Sequence, residues 1–211
     1  MQRSLLLGAV LLWDVLFRGQ LGFSICFLEE MYARHLGHLF VSPLRPWELV
    51  VANFTVSLIR ILIGVGGASL LAVPIFQFSL VGTLGWTIIP FFGLMMLFGW
   101  AIGLIIAGLV LRLGLGAESL AWAAIFFIQP FSGVYYPVST LPGAVQWLAW
   151  LLPSAPVFEG MRAVLVDNRF DTGLFLYAAG LLAAWLVVAG VAFTLLFQSA
   201  RRRGLLLQSG E

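Results

Sequence analysis

Lysine is missing from the chain: every one of its 11 basic residues is an arginine. A phosphate-binding P-loop needs its Lys, and a Schiff-base enzyme needs an amine. The chain therefore supplies neither, and any nucleotide hydrolysis in its work must come from a partner. Cysteine is nearly missing too. Cys26 stands alone, which excludes an internal disulfide and a thiolate metal cluster. Charge of either sign is scarce, with 9% of the 211 residues charged against about 25% in soluble domains. The stretches 61–111, 119–158 and 172–200 contain no Asp, Glu, Lys or Arg at all.

Apolar side chains fill the space that the missing charges leave, at 62% of the chain. A soluble fold cannot hide that much apolar surface, so the excess faces lipid. There, backbone N–H and C=O groups are satisfied only inside helices or closed barrels. Long apolar runs without period-2 alternation select helices. The fold class expected is an all-α integral membrane protein, organised as a single transmembrane domain over residues 1–211. The net charge of +2 sits in loop and C-terminal clusters, which suits lipid headgroups rather than nucleic acid.

Hydropathy and turn residues predict five spans, at 4–28, 49–76, 86–111, 119–136 and 172–199. Between the first two lies the most polar stretch, 29–48. Its apolar residues Leu28, Tyr32, Leu36, Leu39 and Phe40 recur at helical spacing, which predicts a short amphipathic helix stopped by Ser42 and Pro43. Periodicity alone leaves that helix equally open to resting on headgroups or on a protein partner. Between the last two spans, Pro130, Pro137, Pro142, Pro153 and Pro156 break an apolar region into two short helices, 144–152 and 157–166, dipping into the membrane surface. Arg34, Arg45, Arg112 and Arg201 to Arg203 fall at one side of this topology, against Arg162 and Arg169 among Glu159, Asp167 and Asp171 on the other, an asymmetry that marks the first side as cytoplasmic.

Asp14 and Arg18 are one helical turn apart inside the first span, where ionisable groups are costly. They serve either as a mutual ion pair that holds the bundle or as part of a translocation path. Asn53, Ser57, Arg60 and Gly64 keep one face of the second span polar or small, expected to look into the bundle; either it meets substrate or Arg60 simply snorkels to the headgroups. Gly99, Gly103 and Ala107 form a small-residue ridge, read as a surface for close helix packing rather than a hinge, with subunit assembly as the expected casualty of filling it. Trp13, Trp47, Trp86, Trp147 and Trp150 are expected at membrane interfaces. His35 and His38 make at most a weak two-ligand metal site, and no catalytic constellation is present.

Two stretches of this pattern resemble the type-2 ABC exporter permeases, the group that includes drug, polysaccharide and nodulation-factor export subunits. One runs through Glu29, Glu30, Arg34, His35, Gly37, Ser42, Pro43 and Glu48. The resemblance implies that it is a cytoplasmic coupling helix resting on an ATPase subunit. The other runs from Pro130 through Ser132, Gly133, Tyr136 and Pro137 to Pro142, Pro153, Glu159 and Arg162, and implies a re-entrant hairpin on the outer face. Family members usually have six spans, and the first span here looks like the family's second. What the resemblance implies further is a non-enzymatic permease subunit of a bacterial inner membrane, without cofactor or metal. It would pair with a second protomer, a separate ABC ATPase and membrane lipids. A secondary transporter, which would show inverted repeats, and a membrane-embedded transferase or assembly factor are the alternatives.

Overall fold

The computed structural model describes residues 2–32, 46–76, 82, 85–114, 116 and 118–203. Among them the chain forms seven α-helices and no strand. These are α1 (Gln2–Tyr32), α2 (Pro46–Phe76), α3 (Ile88–Leu113), α4 (Glu118–Ile128), α5 (Gly143–Trp150), α6 (Ser154–Asp167) and α7 (Thr172–Arg202). Four of them, α1, α2, α3 with its leading turn, and α7, are long and apolar enough to cross a bilayer.

The stretch expected as a fourth full span is shorter than that. It is the 11-residue α4, extended by a 3-10 turn Gln129–Phe131. A helix of that length rises only about 16 Å, roughly half of a hydrocarbon core. Its end has a local cause: Pro130 has no N–H to continue the ladder, and Gly133 follows at φ 72°, a left-handed conformation that side-chain-bearing residues avoid.

α3 is the centre of the bundle, with 72% of its most apolar window buried, against 22% for α2 and 11% for α7. It lies against α1 along the predicted small-residue ridge. A Cβ at Gly99 would come 2.7 Å from the Leu16 carbonyl oxygen, and one at Gly103 would come 3.0 Å from the Gln20 carbonyl oxygen. Gly19 of α1 answers from the other side, where a Cβ would meet the Met96 carbonyl at 3.4 Å. In lipid, where apolar burial drives little association, such backbone approach lets van der Waals packing hold helices together. The ridge is therefore spent inside the protomer and not between subunits, because its partner α1 belongs to the same chain.

Contacts along the helices fix their directions. Leu16, Gln20 and Phe23 climb past Gly99 and Gly103 in step, so α1 and α3 run parallel. Phe98 meets Trp185, and Gly108 meets Phe193 and Leu196, so α7 runs parallel to α3. Against α1, Arg18 meets Gly64, Gly22 meets Ser57 and Phe23 meets Phe54, so α2 is antiparallel. As a result the ends of α1, α3 and α7 and the start of α2 all lie at one end of the bundle. Arg112 and the Arg201 to Arg203 cluster share that end.

Large side chains, among them Leu12, Leu16, Met95, Phe98, Ile125, Phe158 and Met161, fill the core between α1, α3, α4 and α6. Trp13 is one of the core residues, at 8% exposure, and does not mark an interface: it lies well inside α1 on the face that packs. Trp47 and Trp86 are exposed at or just before helix starts, as an interfacial belt requires, and Trp147 is exposed within the short α5.

Candidate functional site

Two groups of polar residues stand out against this apolar frame. The first is on α1 and α2. Arg18 Nε donates to Asp14 Oδ2 at 2.6 Å, one turn apart on α1. The Arg18 guanidinium lies over Gly64 of α2, where a Cβ would be 2.8 Å from Nη1. Glycine at 64 is thus what allows the cation to lie flat between the helices. The pair is half exposed, at 45% for Arg18 and 25% for Asp14. Arg60 of α2 extends to Glu29 of α1, with Nη2 to Oε2 at 3.5 Å.

The remaining members of the α2 stripe turn inward. Ser57 is fully buried and its Oγ accepts from Trp100 Nε1 at 2.9 Å, which fastens α2 to α3. Asn53 is buried on the same side, with its Nδ2 unpaired among the described residues. Trp100 also stacks on Phe54 at 4.5 Å between ring centroids. The stripe therefore divides, with Asn53 and Ser57 inside the protomer and Arg60 on its surface.

Polar residues that composition and motif did not single out sit between α1 and α4. Gln20 is fully buried, and its Nε2 donates to the Ala121 carbonyl at 3.0 Å. Ser24, one turn on, donates to the Gln20 carbonyl at 2.9 Å. The available signal was their four-residue spacing within an otherwise apolar run, on the same helix as Gly19 and Gly22.

The second group is the α5–α6 hairpin and the turn leading into it, and here the sequence-predicted residues converge. Arg162 on α6 donates through Nη2 to the carbonyl of Gly133 and, at 2.9 Å, to that of Tyr136. Its Nη1 lies 3.1 Å from Glu159 Oε1, and Glu159 in turn accepts from the Val138 N–H at 2.8 Å. One ion pair on α6 thus receives the orphaned backbone groups of the 132–138 turn. Ser132 Oγ donates to the Gln129 carbonyl at 2.7 Å, and the Tyr136 hydroxyl donates to the Pro130 carbonyl.

The prolines mark the breaks between these short elements. Pro137 precedes the 3-10 turn Val138–Thr140, Pro142 caps α5 and Pro153 caps α6. From α7, the Tyr177 hydroxyl and Trp185 Nε1 donate to the Trp150 and Leu151 carbonyls at 2.8 and 3.0 Å, tying off the α5 end. α5 and α6 lie close to the expected 144–152 and 157–166.

The predicted coupling segment falls largely elsewhere. Arg34, His35, Gly37, Ser42 and Pro43 lie outside the described residues, as does the side chain of Glu30, while Glu29 is exposed near the end of α1. Among the described residues no group of acids, histidines and cysteines could hold a metal ion.

Four long apolar helices around a buried glycine seam, with a broken-helix hairpin at one end, define an all-helical, multi-pass membrane protein. A family model described as ABC-2 type transporter matches residues 8–166, which takes in most of α1, all of α2 to α5 and nearly all of α6. The chain belongs to the ABC-2 type transporter family and is an ABC transporter permease. No curated protein matches it.

Proposed function

We propose that the chain is the membrane subunit of an exporter in a bacterial inner membrane, working as a dimer of permease protomers and driven by ATP hydrolysed on separate ATPase subunits. The observation that carries this reading is the common end of the bundle. The end of α1 and the start of α2, which residues 33–45 connect in the sequence, share that end with Arg112 and with Arg201 to Arg203. An arginine-rich end is the cytoplasmic end, which is where an ATPase reaches a permease.

In this reading Glu29, Glu30, Arg34, His35, Gly37, Ser42 and Pro43 form the coupling element. Asp14 and Arg18 face the substrate path between protomers, because a half-exposed ion pair within an apolar span is costly against lipid. The hairpin cluster of Glu159 and Arg162 closes the outer side. The absence of lysine supports an ATPase on another chain, and α1 to α7 contribute no enzymatic step.

Single cysteines at His38 and Arg202, introduced with Cys26→Ser, test the orientation. Membrane-impermeant reagent is expected to label them only after the cells are opened. Labelling from outside intact cells would reverse the topology and remove the coupling assignment. Gly37→Pro tests the lever. Proline inside a short helix costs about 3 kcal/mol or more, so substrate-stimulated ATP hydrolysis is expected to fall while membrane insertion stays normal. Wild-type stimulation in that variant would contradict the reading.

A further inference from the structure

The register of α1 against α2 gives Arg60 a different task from the one its place in a polar stripe suggests. With Gly22 against Ser57 and Arg18 against Gly64, residue 60 is level with residues 19–22 of α1. Glu29 is seven to ten residues further along, roughly 10–15 Å toward the end of α1. Arg60 nevertheless reaches it, at 3.5 Å. The side chain is therefore drawn out along the helix axis toward the junction and away from the middle of the bundle.

We infer that Arg60 is a positioning residue of the coupling element, which through Glu29 makes the adjoining ends of α1 and α2 move as one body. This inference rests on the reading that segment 33–45 receives the ATPase motion. Such a segment passes force into two helices at once, at the end of α1 and the start of α2. α1 is embedded in the bundle through Gly19 and Gly99, while α2, with only 22% of its apolar window buried, is held through a narrow face that includes Asn53, Phe54 and Ser57. The aromatic contact of Phe23 with Phe54 already joins the two helices. On α1 the Glu29–Arg60 pair adds a tie six residues nearer the junction than Phe23. Glu29 lies just past the apolar window of α1, which ends at Cys26, and Arg60 reaches it from inside that of α2, which begins at Val50. There the opposite charges meet in a medium less polar than bulk water, where their attraction is stronger. Snorkelling of Arg60 to headgroups is the competing account, and it requires no particular partner.

A charge swap separates the two accounts. Glu is shorter than Arg, but exchanging them leaves the summed reach of the two side chains unchanged, so Glu29→Arg with Arg60→Glu rebuilds the pair a little deeper. Two measurements are made on Arg60→Gln, Glu29→Gln and the swapped protein. The first is the spin-label distance between Tyr32→Cys and Trp47→Cys, with Cys26→Ser, on the chain alone. The second is ATP hydrolysis by the chain together with the ATPase subunit that co-purifies with it. The expectation is a broadened distance distribution and about fivefold less stimulated hydrolysis in each single variant, the scale of one ion pair at the upper end of the usual range, with both restored by the swap.

A distribution that stays narrow in the single variants would overturn the tie between the helices. Broadening with unchanged hydrolysis, or a swap that restores neither, would overturn the positioning role. If no ATPase accompanies the wild-type chain, the permease–ATPase reading fails and takes the coupling role with it. The distance measurement still reports separately on the pair.

Discussion

Replacing Gly99 by alanine adds one methyl group where α3 touches the backbone of α1. That Cβ would lie 2.7 Å from the Leu16 carbonyl oxygen, 3.1 Å from Gln20 N and 3.3 Å from Gly19 Cα. None of these neighbours can rotate away, so α1 has to retreat by about 0.7 Å to reach ordinary contact at about 3.4 Å. Overpacking of this kind costs about 1–3 kcal/mol, and alanine's helix propensity returns about 1 kcal/mol. The net expectation is a loss of up to about 2 kcal/mol, and about 1–3 kcal/mol relative to an alanine that meets nothing. Gly93→Ala, on the same helix with nothing within 4 Å of the added carbon, keeps only the propensity gain. Denaturation of the detergent-solubilised protein, followed by tryptophan fluorescence, compares the two. Equal stability of Gly99→Ala and Gly93→Ala would refute the close α1–α3 seam.

Three other substitutions probe the remaining contacts. Arg162→Gln leaves Glu159 and the carbonyls of Gly133 and Tyr136 short of a cationic donor, and should cost about 2–3 kcal/mol. Cleavage of the 132–142 turn by added protease is expected to quicken, and an unchanged cleavage rate would count against the clamp. Trp100→Phe removes the donor to Ser57 while keeping a ring against Phe54, so a loss of about 1 kcal/mol is expected in the same denaturation assay. Gln20→Leu should change stability by less than about 1 kcal/mol in either direction, since the amide that is lost already has an unpaired oxygen. A large loss there would mean that Gln20 does more than tether α4.

Much of this architecture was legible because lipid imposes simple rules. Apolar length gave α1, α2, α3 and α7 to within a few residues, and the proline positions gave α5 and α6. The hairpin cluster was legible as a set of residues through family resemblance. Its chemistry was not, because nothing in the spacing of Glu159 and Arg162 says that they receive the Val138 N–H and the carbonyls of Gly133 and Tyr136.

The small-residue ridge was read correctly as a packing surface, but its partner was misassigned. A glycine stripe says that something approaches closely, and only the answering Gly19 and Leu16 identify α1. The fourth span was overestimated because hydropathy runs through Pro130 without a break while the backbone does not. Arg60 was grouped with Asn53 and Ser57 by helical periodicity. A long side chain, however, acts where its charge ends up, and that place is beside Glu29.

The central claim is that this permease is driven by an ATPase on another chain, and ATP hydrolysis by the purified protein tests it most directly. The tagged chain is extracted from its own membranes and assayed twice, once with whatever subunits it brings and once after they are stripped off. The account predicts ATP hydrolysis that is sensitive to vanadate in the first sample, and none in the second until the removed subunit is added back. Undiminished hydrolysis by the stripped chain, or a chain that comes from native membranes with no ATP-hydrolysing partner, would contradict it.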